Sequence, residues 1–429
     1  MRGRLQQGRI RIRIPSAAQS IMGITEYLWV IFVILNGNSV YHANSIRNLH
    51  LMEIVLGLTA LLVVMNIILY RKWPSKRSVI RAVAIMCYCT VYFAVMQSRM
   101  PAKDFLQLFI LGAPLAFLLF SESYRNGRLM RLLTRFGDVI FVLAVISLYF
   151  WFMGEVFKVI EPNGYVNMAW GRHSVAKGYY RIHFAFQLDT TFFPDAYLYR
   201  NSGLFSEAPM FNLWLDLAVA IELFIRPKTS RLRLVLLAVT VFTTMSVTGI
   251  LFLVLCVVLT ALVHLRNLNR FQTCILILMA IVVIPVLFVL VMRSVSMKVD
   301  TLSYEMRLSD YGGGVRLWMD HPLFGAGYGS LVALLPYIYS PEGLLGFSNS
   351  VTAVLGTGGI WMALLFYIPL IAVLFPRFSG SRKLSAFGGC YLFLFCTTAF
   401  FGRFLAAMMV SLGYALISGE HRQNDEIRK

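Results

Sequence analysis

The chain has 429 residues, of which 58% are hydrophobic and only 14% are charged. This composition excludes a soluble globular protein and predicts an integral membrane protein. The net charge of +19 comes from short clusters of arginine and lysine between apolar segments, so it indicates membrane topology and not a nucleic-acid partner.

Apolar segments recur along the whole chain and predict a polytopic, all-α membrane protein. They are roughly 16 to 25 residues long, which suits helices that cross a hydrocarbon core of about 30 Å, whereas a β-barrel would show short alternating segments. About twelve such spans are predicted. They begin near Ile21, Leu51, Val79, Asp104, Asp138, Pro209, Leu232, Gly249, Thr273, Ser350, Leu384 and Phe404. Two long apolar stretches are divided, one between Met245 and Gly249 and one at Gly402 and Arg403.

The basic loops predict the orientation of the spans. Arginine and lysine cluster in every second connection, and such clusters remain in the cytoplasm, so both ends of the chain are cytoplasmic. The predicted order is a basic leader that flanks an uncleaved signal anchor (1–20), five spans (21–154), an outer loop (155–208), four spans (209–292), a second outer loop (293–349), three spans (350–418) and a cytoplasmic tail (419–429). The two outer loops are expected to contain short helices and are the places with room for a hydrophilic site.

Two charges stand at the end of the first outer loop, in the stretch YRNSGLFSEAPM. Arg200 and Glu207 flank Gly203, and Pro209 suits the first turn of the next span. One interpretation makes Glu207 a helix cap that pairs with Arg200. In the other, Arg200 binds an anionic substrate and Glu207 accepts a proton. The residue types leave both interpretations open.

An acidic residue follows inside the next span. Asn212 and Asp216 are four residues apart and share a helix face, with Asp216 about two turns into the membrane. An ionisable residue at that depth is a candidate for function, and a hydrogen-bonded structural aspartate is the alternative.

The second outer loop contains arginines, glycines and a histidine. Arg307 and Arg316 offer forked donors for phosphate oxygens, and the segment Gly325 to Gly329 offers backbone N–H groups for close approach. The pattern lacks the features of a dinucleotide-binding fold and of a P-loop, which excludes both. His321 is either a base or, before a proline, a capping residue of a turn.

The order of these segments resembles a known family. The stretch RNSGLFSEAP resembles the Arg-x-x-Gly-x-Phe-x-Glu-Pro motif of the bacterial O-antigen polymerase (Wzy type) and O-antigen ligase superfamily. The segments SVTG (246–249), HPLFGAGYG (321–329) and SNS (348–350) follow in the order of that superfamily. In this chain Ala208 separates the glutamate from the proline. The ligase branch is expected to have a histidine beside Asn349, so its absence favours a polymerase.

The resemblance implies an enzyme that joins oligosaccharide repeat units carried on undecaprenyl diphosphate at the outer face of the bacterial plasma membrane. Loop placement and residue type motivate catalytic roles for Arg200, Glu207 and Arg307 and substrate-binding roles for Gly203, Asp216, Arg316, His321 and Asn349. Arginines would neutralise the leaving diphosphate, and Glu207 would be the base, with His321 and Asp216 as alternatives. No cofactor and no metal are expected. The expected partners are the lipid-linked oligosaccharide as donor and acceptor, the lipid bilayer, and a flippase and a chain-length regulator of the same pathway.

Three other functions compete with a polymerase. They are an O-antigen ligase-like glycosyl transferase, a lipid-linked oligosaccharide flippase or transporter, and a scaffold subunit whose arginines dock a partner. A transporter usually keeps its polar residues near the midplane in broken helices, whereas here they concentrate in the two outer loops.

Overall fold

The structure is a computed structural model that describes residues 16–43, 50–167, 175–189, 192, 197–264, 302–338 and 347–427. Its helices are α1 (Ser16–Asn36), α2 (Val40–Ala43), α3 (Leu51–Tyr70), α4 (Lys76–Met96), α5 (Ala102–Phe105), α6 (Ala113–Arg125), α7 (Leu129–Phe150), α8 (Ala208–Ala220), α9 (Arg231–Thr243), α10 (Val247–His264), α11 (Leu302–Asp320), α12 (Ser350–Val373), α13 (Pro376–Ser379), α14 (Arg382–Thr397) and α15 (Phe404–Ile427). Segments of π-helix extend α5, α7 and α8 at Leu106–Gly112, Trp151–Val156 and Ile221–Ile225, and 3-10 turns form at Gln97–Arg99 and Leu331–Tyr337.

The helices show that this is a multi-pass membrane protein. Among the described residues, eight helices are long and apolar enough to cross a membrane. Every predicted start lies within a helix except Thr273, which is outside the described residues. Helix α1 begins at Ser16, earlier than predicted, and α15 continues to Ile427 into the predicted tail. The total of twelve spans and their orientation stay predictions.

Both predicted breaks in the long apolar stretches are confirmed. Helix α9 ends at Thr243 and α10 begins at Val247, with Met245 between them at a φ of 50°. Helix α14 ends at Thr397 and α15 begins at Phe404. A left-handed residue such as Met245 cannot continue a right-handed helix, so the chain must start a new one.

The fold is mainly helical, as predicted, and the first outer loop adds a small sheet that the sequence analysis did not predict. Strands β1 (Gly164–Asn167), β2 (Val175–Tyr179) and β3 (His183–Ala185) are antiparallel in the order β1-β2-β3. Gly164 pairs with Gly178, and Tyr179 pairs with His183. In the second outer loop, α11 has 19 residues and is longer than the predicted short helices.

Partly buried ion pairs join the helix ends at the face that the sequence assigns to the cytoplasm. Asp138 on α7 accepts hydrogen bonds from Arg226 at 2.6 Å, and Arg233 on α9 lies 2.7 Å from the same oxygen. Arg226 also donates to Glu222, at 2.6 Å, just beyond the end of α8. A carboxylate shared by two arginines in a partly buried position resists solvent screening, so these contacts fix α8 against α7 and α9.

Candidate functional site

The end of the first outer loop is held by a short antiparallel ladder. The backbone N–H of Arg200 donates to the carbonyl of Gln187 at 2.8 Å, and that of Asp189 donates to Leu198 at 2.8 Å. Leu188 and Tyr199 form the bridge between these contacts. The ladder fixes the backbone of Arg200, so its side chain starts from a defined position.

The guanidinium of Arg200 reaches the break between α9 and α10. Its Nε donates to the main-chain carbonyl of Thr244 at 2.9 Å. Helix ends leave such carbonyls without an intrahelical partner, and they carry partial negative charge. The two Nη atoms donate no hydrogen bond to any described residue, so most of the fork is available for an anion.

Electrostatics around Arg200 favour the approach of an anion. Burial lowers the pKa of Arg200, and the charge of Arg307 adds to this effect. The carboxylates of Asp189 and Glu207 oppose it. The positive charges of Arg200 and Arg307 repel each other. An anion that binds both side chains would offset this repulsion, so binding it is favourable.

Glu207 stands at the N-cap position of α8 without capping it. Its backbone is extended, with φ −161° and ψ 153°, and its side chain accepts no cap hydrogen bond. Instead, the side-chain oxygen of Gln187 accepts from the N–H of Ala208 at 3.1 Å. Glu207 makes no ion pair or hydrogen bond through its side chain with a described residue. The capping interpretation of Glu207 is therefore wrong, and its carboxyl group has no hydrogen-bond or ion-pair partner among the described residues.

The three predicted catalytic residues come together in the fold. Arg307, which is exposed on α11, acts electrostatically on both Arg200 and Glu207. Burial raises the pKa of Glu207 and outweighs the lowering by the two arginines. A carboxylate with a raised pKa is a stronger base, so the two arginines do not suppress its basicity. The cluster offers two cationic forks beside one proton acceptor.

A second carboxylate, Asp310, lies one helical turn after Arg307 and was missed by the sequence analysis. It is buried, and its Oδ2 accepts from the backbone N–H of Ser348 at 2.9 Å. Burial raises the pKa of Asp310 to about 6, against the lowering by Ser348 and Arg307. The only sequence signal was the Arg-x-x-Asp spacing, which places both residues on one helix face.

Asn349 has both a structural bond and an unused donor. Its Oδ1 caps α12 by accepting from the N–H of Thr352 at 2.8 Å and from the Thr352 hydroxyl at 2.9 Å. Its Nδ2 is fully buried and has no partner among the residues that the structure describes, and the same holds for the hydroxyl of Ser348. These orphaned polar atoms lie beside Asp310 and increase the polarity of this part of the site.

Asp216 lies behind the cluster and not at its surface. The side chain is fully buried, and its Oδ2 accepts from Nδ2 of Asn212 at 2.7 Å. The Oδ1 of Asn212 accepts in turn from the hydroxyl of Thr244 at 3.4 Å. The carbonyl of Thr244 in turn accepts a hydrogen bond from Arg200. Asp216 therefore supports the position of Arg200 through Asn212 and Thr244. The hydrogen-bonded structural interpretation of Asp216 agrees with these contacts.

The close approach of α8 to α10 explains why the motif SVTG ends in a glycine. A Cβ atom at Gly249 would lie 2.1 Å from Oδ1 of Asn212, a separation that no packing tolerates. Only glycine permits this contact. The motif therefore ends α9, starts α10 and leaves room for the asparagine that supports Thr244.

The other predicted substrate-binding residues lie away from the cluster or have structural contacts. Gly203 adopts a φ of 54°, and a Cβ there would lie 3.0 Å from the ring of Phe211. Arg316 donates to the carbonyl of Tyr337 at 2.7 Å. At about 1.5 Å per helical residue, Arg307 and His321 lie roughly 21 Å apart along α11, and His321 is exposed at its far end.

The glycine-rich segment Gly325 to Gly329 is a packing element and not a phosphate cradle. The N–H groups of Ala326 and Gly327 donate to the carbonyls of Gly356 and Thr357 at 3.2 and 2.9 Å. The remaining N–H groups of this segment also have partners within the protein. The glycines allow the loop to lie against α12, and the predicted free donors are absent from this segment.

Across the described ranges, no group of three or more His, Cys, Asp or Glu residues could hold a metal ion.

The fold and the site define a class: a multi-pass helical membrane protein with an arginine and carboxylate cluster built from two loops. Residues 232–367 match the family model described as O-antigen ligase. This match is confined to residues 232–367 and confirms the resemblance of the chain's motifs to the O-antigen ligase/polymerase superfamily. The matched region includes Thr244, Arg307 and Asn349, and it begins after Arg200 and Glu207. No curated protein matches the chain significantly.

Proposed function

We propose that this chain is a polymerase that joins undecaprenyl-diphosphate-linked oligosaccharide repeat units into O-antigen, capsule or exopolysaccharide chains. The reaction takes place at the outer face of the bacterial plasma membrane, with a flippase and a chain-length regulator as partners. The observation that carries the proposal is the cluster of Arg200, Glu207 and Arg307, in which two arginine forks lie beside a carboxyl group that no described residue binds. The family match supports glycosyl transfer as the chemistry.

The step needs a leaving group, a nucleophile and a proton acceptor. A hydroxyl group of the acceptor unit attacks the anomeric carbon of the donor saccharide and forms the new C–O bond. The bond from that carbon to the diphosphate oxygen breaks, and its electron pair leaves with the lipid diphosphate. Arg200 and Arg307 bind the growing negative charge, which is worth on the order of a few kcal/mol for each donor. The hydroxyl proton passes to Glu207.

Glu207 is the first candidate for the base because its carboxyl group has no partner among the described residues and its pKa is raised. Asp310 is the second candidate, since its pKa of about 6 suits a base at neutral pH, although it is already bonded to Ser348. His321 lies too far along α11 to serve the same substrate atom in this arrangement. The arginines take the role of a divalent cation, so the reaction is proposed to be independent of metal.

An O-antigen ligase is the second candidate function, because the matched family model bears that description. A ligase would transfer a finished chain to a different acceptor lipid. The segment Ser348-Asn349-Ser350 favours the polymerase, since it lacks the histidine expected beside the asparagine of a ligase.

Reconstitution separates these functions. Purified protein in liposomes receives the lipid-linked repeat unit alone, and the products are separated by size on a gel. A polymerase makes a ladder from this single substrate, while a ligase needs a second acceptor and a flippase joins nothing. We expect a ladder that persists in the presence of EDTA. Failure to join units, at normal folding of the protein, would exclude the polymerase.

A further inference from the structure

A cavity of about 630 Å³ opens at the opposite end of the bundle from the arginine and carboxylate cluster. Its walls come from α4, α6, α12 and α15. The N-terminus of α12 lies beside Asp310, whereas Leu364 and Ile368, beyond a kink at Gly359, line this cavity. The volume is within the range of about 300 to 1,000 Å³ of small-molecule sites.

Two arginines from separate elements stand at this cavity. Arg81 is near the start of α4, and Arg377 lies in α13, directly after α12. Neither makes a hydrogen bond or an ion pair with any residue that the structure describes. Other arginines of the same predicted face are paired, such as Arg128 with Glu26 at 2.6 Å. The cavity therefore has two cationic groups that no described side chain neutralises.

The rest of the wall is mainly apolar, with Tyr88, Tyr414 and Ser418 as its polar members. Ala84 and Ile85 follow Arg81 along α4, and Leu364 and Ile368 face them from α12. At about 1.5 Å per residue, the wall of α4 continues roughly 10 Å from Arg81 to Tyr88. The side chains of Leu364 and Ile368 are about half exposed, at 48% and 51%. The cavity thus has two arginines at one end and, leading away from them, an exposed apolar slot between α4 and α12. This shape and charge complement an amphiphile with an anionic head.

We propose that this cavity binds an anionic glycerophospholipid of the cytoplasmic leaflet, with its phosphate between Arg81 and Arg377 and an acyl chain along α4 and α12. Arginine forks bind phosphate oxygens with two parallel hydrogen bonds, which fits two arginines that converge from different helices. Basic pockets between transmembrane helices on the cytoplasmic side bind anionic headgroups in this way. The bound lipid bridges α4 to the end of α12, so it stabilises the fold wherever it is present.

The proposal is independent of the catalytic function, and binding alone tests it. The purified, delipidated protein is titrated with phosphatidylglycerol or with phosphatidylcholine in detergent, and bound lipid is counted by native mass spectrometry. The midpoint of thermal unfolding is measured in parallel. We expect phosphatidylglycerol to remain bound and to raise the midpoint, while phosphatidylcholine does neither at the same concentration.

A matched pair of double variants separates a built site from general surface charge. Arg81→Ala with Arg377→Ala should weaken binding of phosphatidylglycerol roughly tenfold or more. Arg231→Ala with Arg382→Ala removes the same charge from exposed positions on the same predicted face. This control pair should retain the affinity of the wild type. Equal loss in both pairs would mean that only net charge matters and would overturn the site.

A third variant tests the apolar slot with both arginines in place. Ala84 is exposed and lines the cavity, so Ala84→Trp fills the slot without disturbing the core. It should reduce retention of phosphatidylglycerol about as much as the loss of the arginines, and its unfolding midpoint without lipid should stay near that of the wild type. Unchanged retention would show that no acyl chain occupies the slot, against the proposal. Equal binding of both lipids to the wild type would also refute it.

Discussion

Arg200 and Thr244 join the two halves of the candidate site: Nε of the arginine donates to the carbonyl of the threonine at 2.9 Å. The arginine belongs to the first outer loop, and the threonine lies at the break between α9 and α10. This contact links the segment that carries Glu207 to the region that matches the superfamily. The carbonyl exposed at this helix break therefore holds a cation whose Nη atoms donate no hydrogen bond to the described residues.

The first prediction concerns the base. Glu207→Gln keeps the shape of the side chain and removes its ability to accept a proton, so polymer formation should fall by about 10² or more. The assay is polymer length on a gel from a deletion strain complemented with the variant, with membrane protein level checked. Glu161→Gln, an exposed glutamate of the same outer loop, is the control and should give normal ladders. Ladders from Glu207→Gln at normal abundance would transfer the role of the base to Asp310.

The second prediction concerns the leaving group. Arg307 is exposed, so Arg307→Ala should leave stability within about 0.5 kcal/mol and reduce polymer formation by roughly 10² to 10³. Arg307→Lys keeps the charge without the fork and should recover part of the activity. Arg99→Ala, an exposed arginine in another predicted outer connection, should have full activity. Reconstituted turnover with a defined lipid-linked unit measures all three, and full activity of Arg307→Ala would remove Arg307 from the mechanism.

The third prediction is a pH dependence of stability. The pKa of Asp310 is raised from its ordinary value of 3.8 to about 6, so the folded protein holds this proton more tightly than the unfolded chain does. Its contribution to stability is therefore present below about pH 4 and is lost as the pH rises to about 6. Asp310→Asn retains an acceptor for the N–H of Ser348 and cannot ionise.

Thermal unfolding between pH 4 and pH 7 checks this third prediction. The midpoint of the wild type should fall over that window relative to the midpoint of Asp310→Asn, and the two curves should run parallel above about pH 7. Parallel curves over the whole window would show that the pKa of Asp310 is not raised.

The sequence predicted the membrane helices and selected Arg200, Glu207 and Arg307 as candidate site residues. It did not predict several of the contacts around them. Apolar run length alone locates a membrane helix, because the bilayer sets its length. The hairpin between β2 and β3 was missed because Tyr180 and Arg181 occupy its left-handed positions in place of glycine or asparagine. The capping role of Gln187 and the burial of Asp310 depend on partners distant in sequence, Ala208 and Ser348. No local pattern reports such tertiary contacts.

The fourth prediction separates two roles for Asp216. If it supports Arg200 through Asn212 and Thr244, then Asp216→Asn should retain most activity, since its amide oxygen can still accept from Asn212. Asp216→Ala leaves the buried Nδ2 of Asn212 unpaired, which costs about 1 to 3 kcal/mol and should lower activity together with stability. Complete loss of activity in Asp216→Asn at an unchanged unfolding midpoint would show that the negative charge itself acts on substrate.

The fifth prediction tests the close approach of α8 and α10. In Gly249→Ala the added Cβ meets Oδ1 of Asn212 at 2.1 Å, so either the helices separate or the asparagine leaves Thr244. Overpacking of this kind costs about 1 to 3 kcal/mol, and the displaced asparagine should also reduce polymer formation.

Gly57→Ala on α3 is the matched control, because a Cβ there meets nothing within 4 Å. In the control, replacing glycine in a helix should leave the unfolding midpoint unchanged or raise it slightly. Equal midpoints for the two variants would show that α10 moves away from Asn212 at no cost, and the glycine of SVTG would then have another purpose.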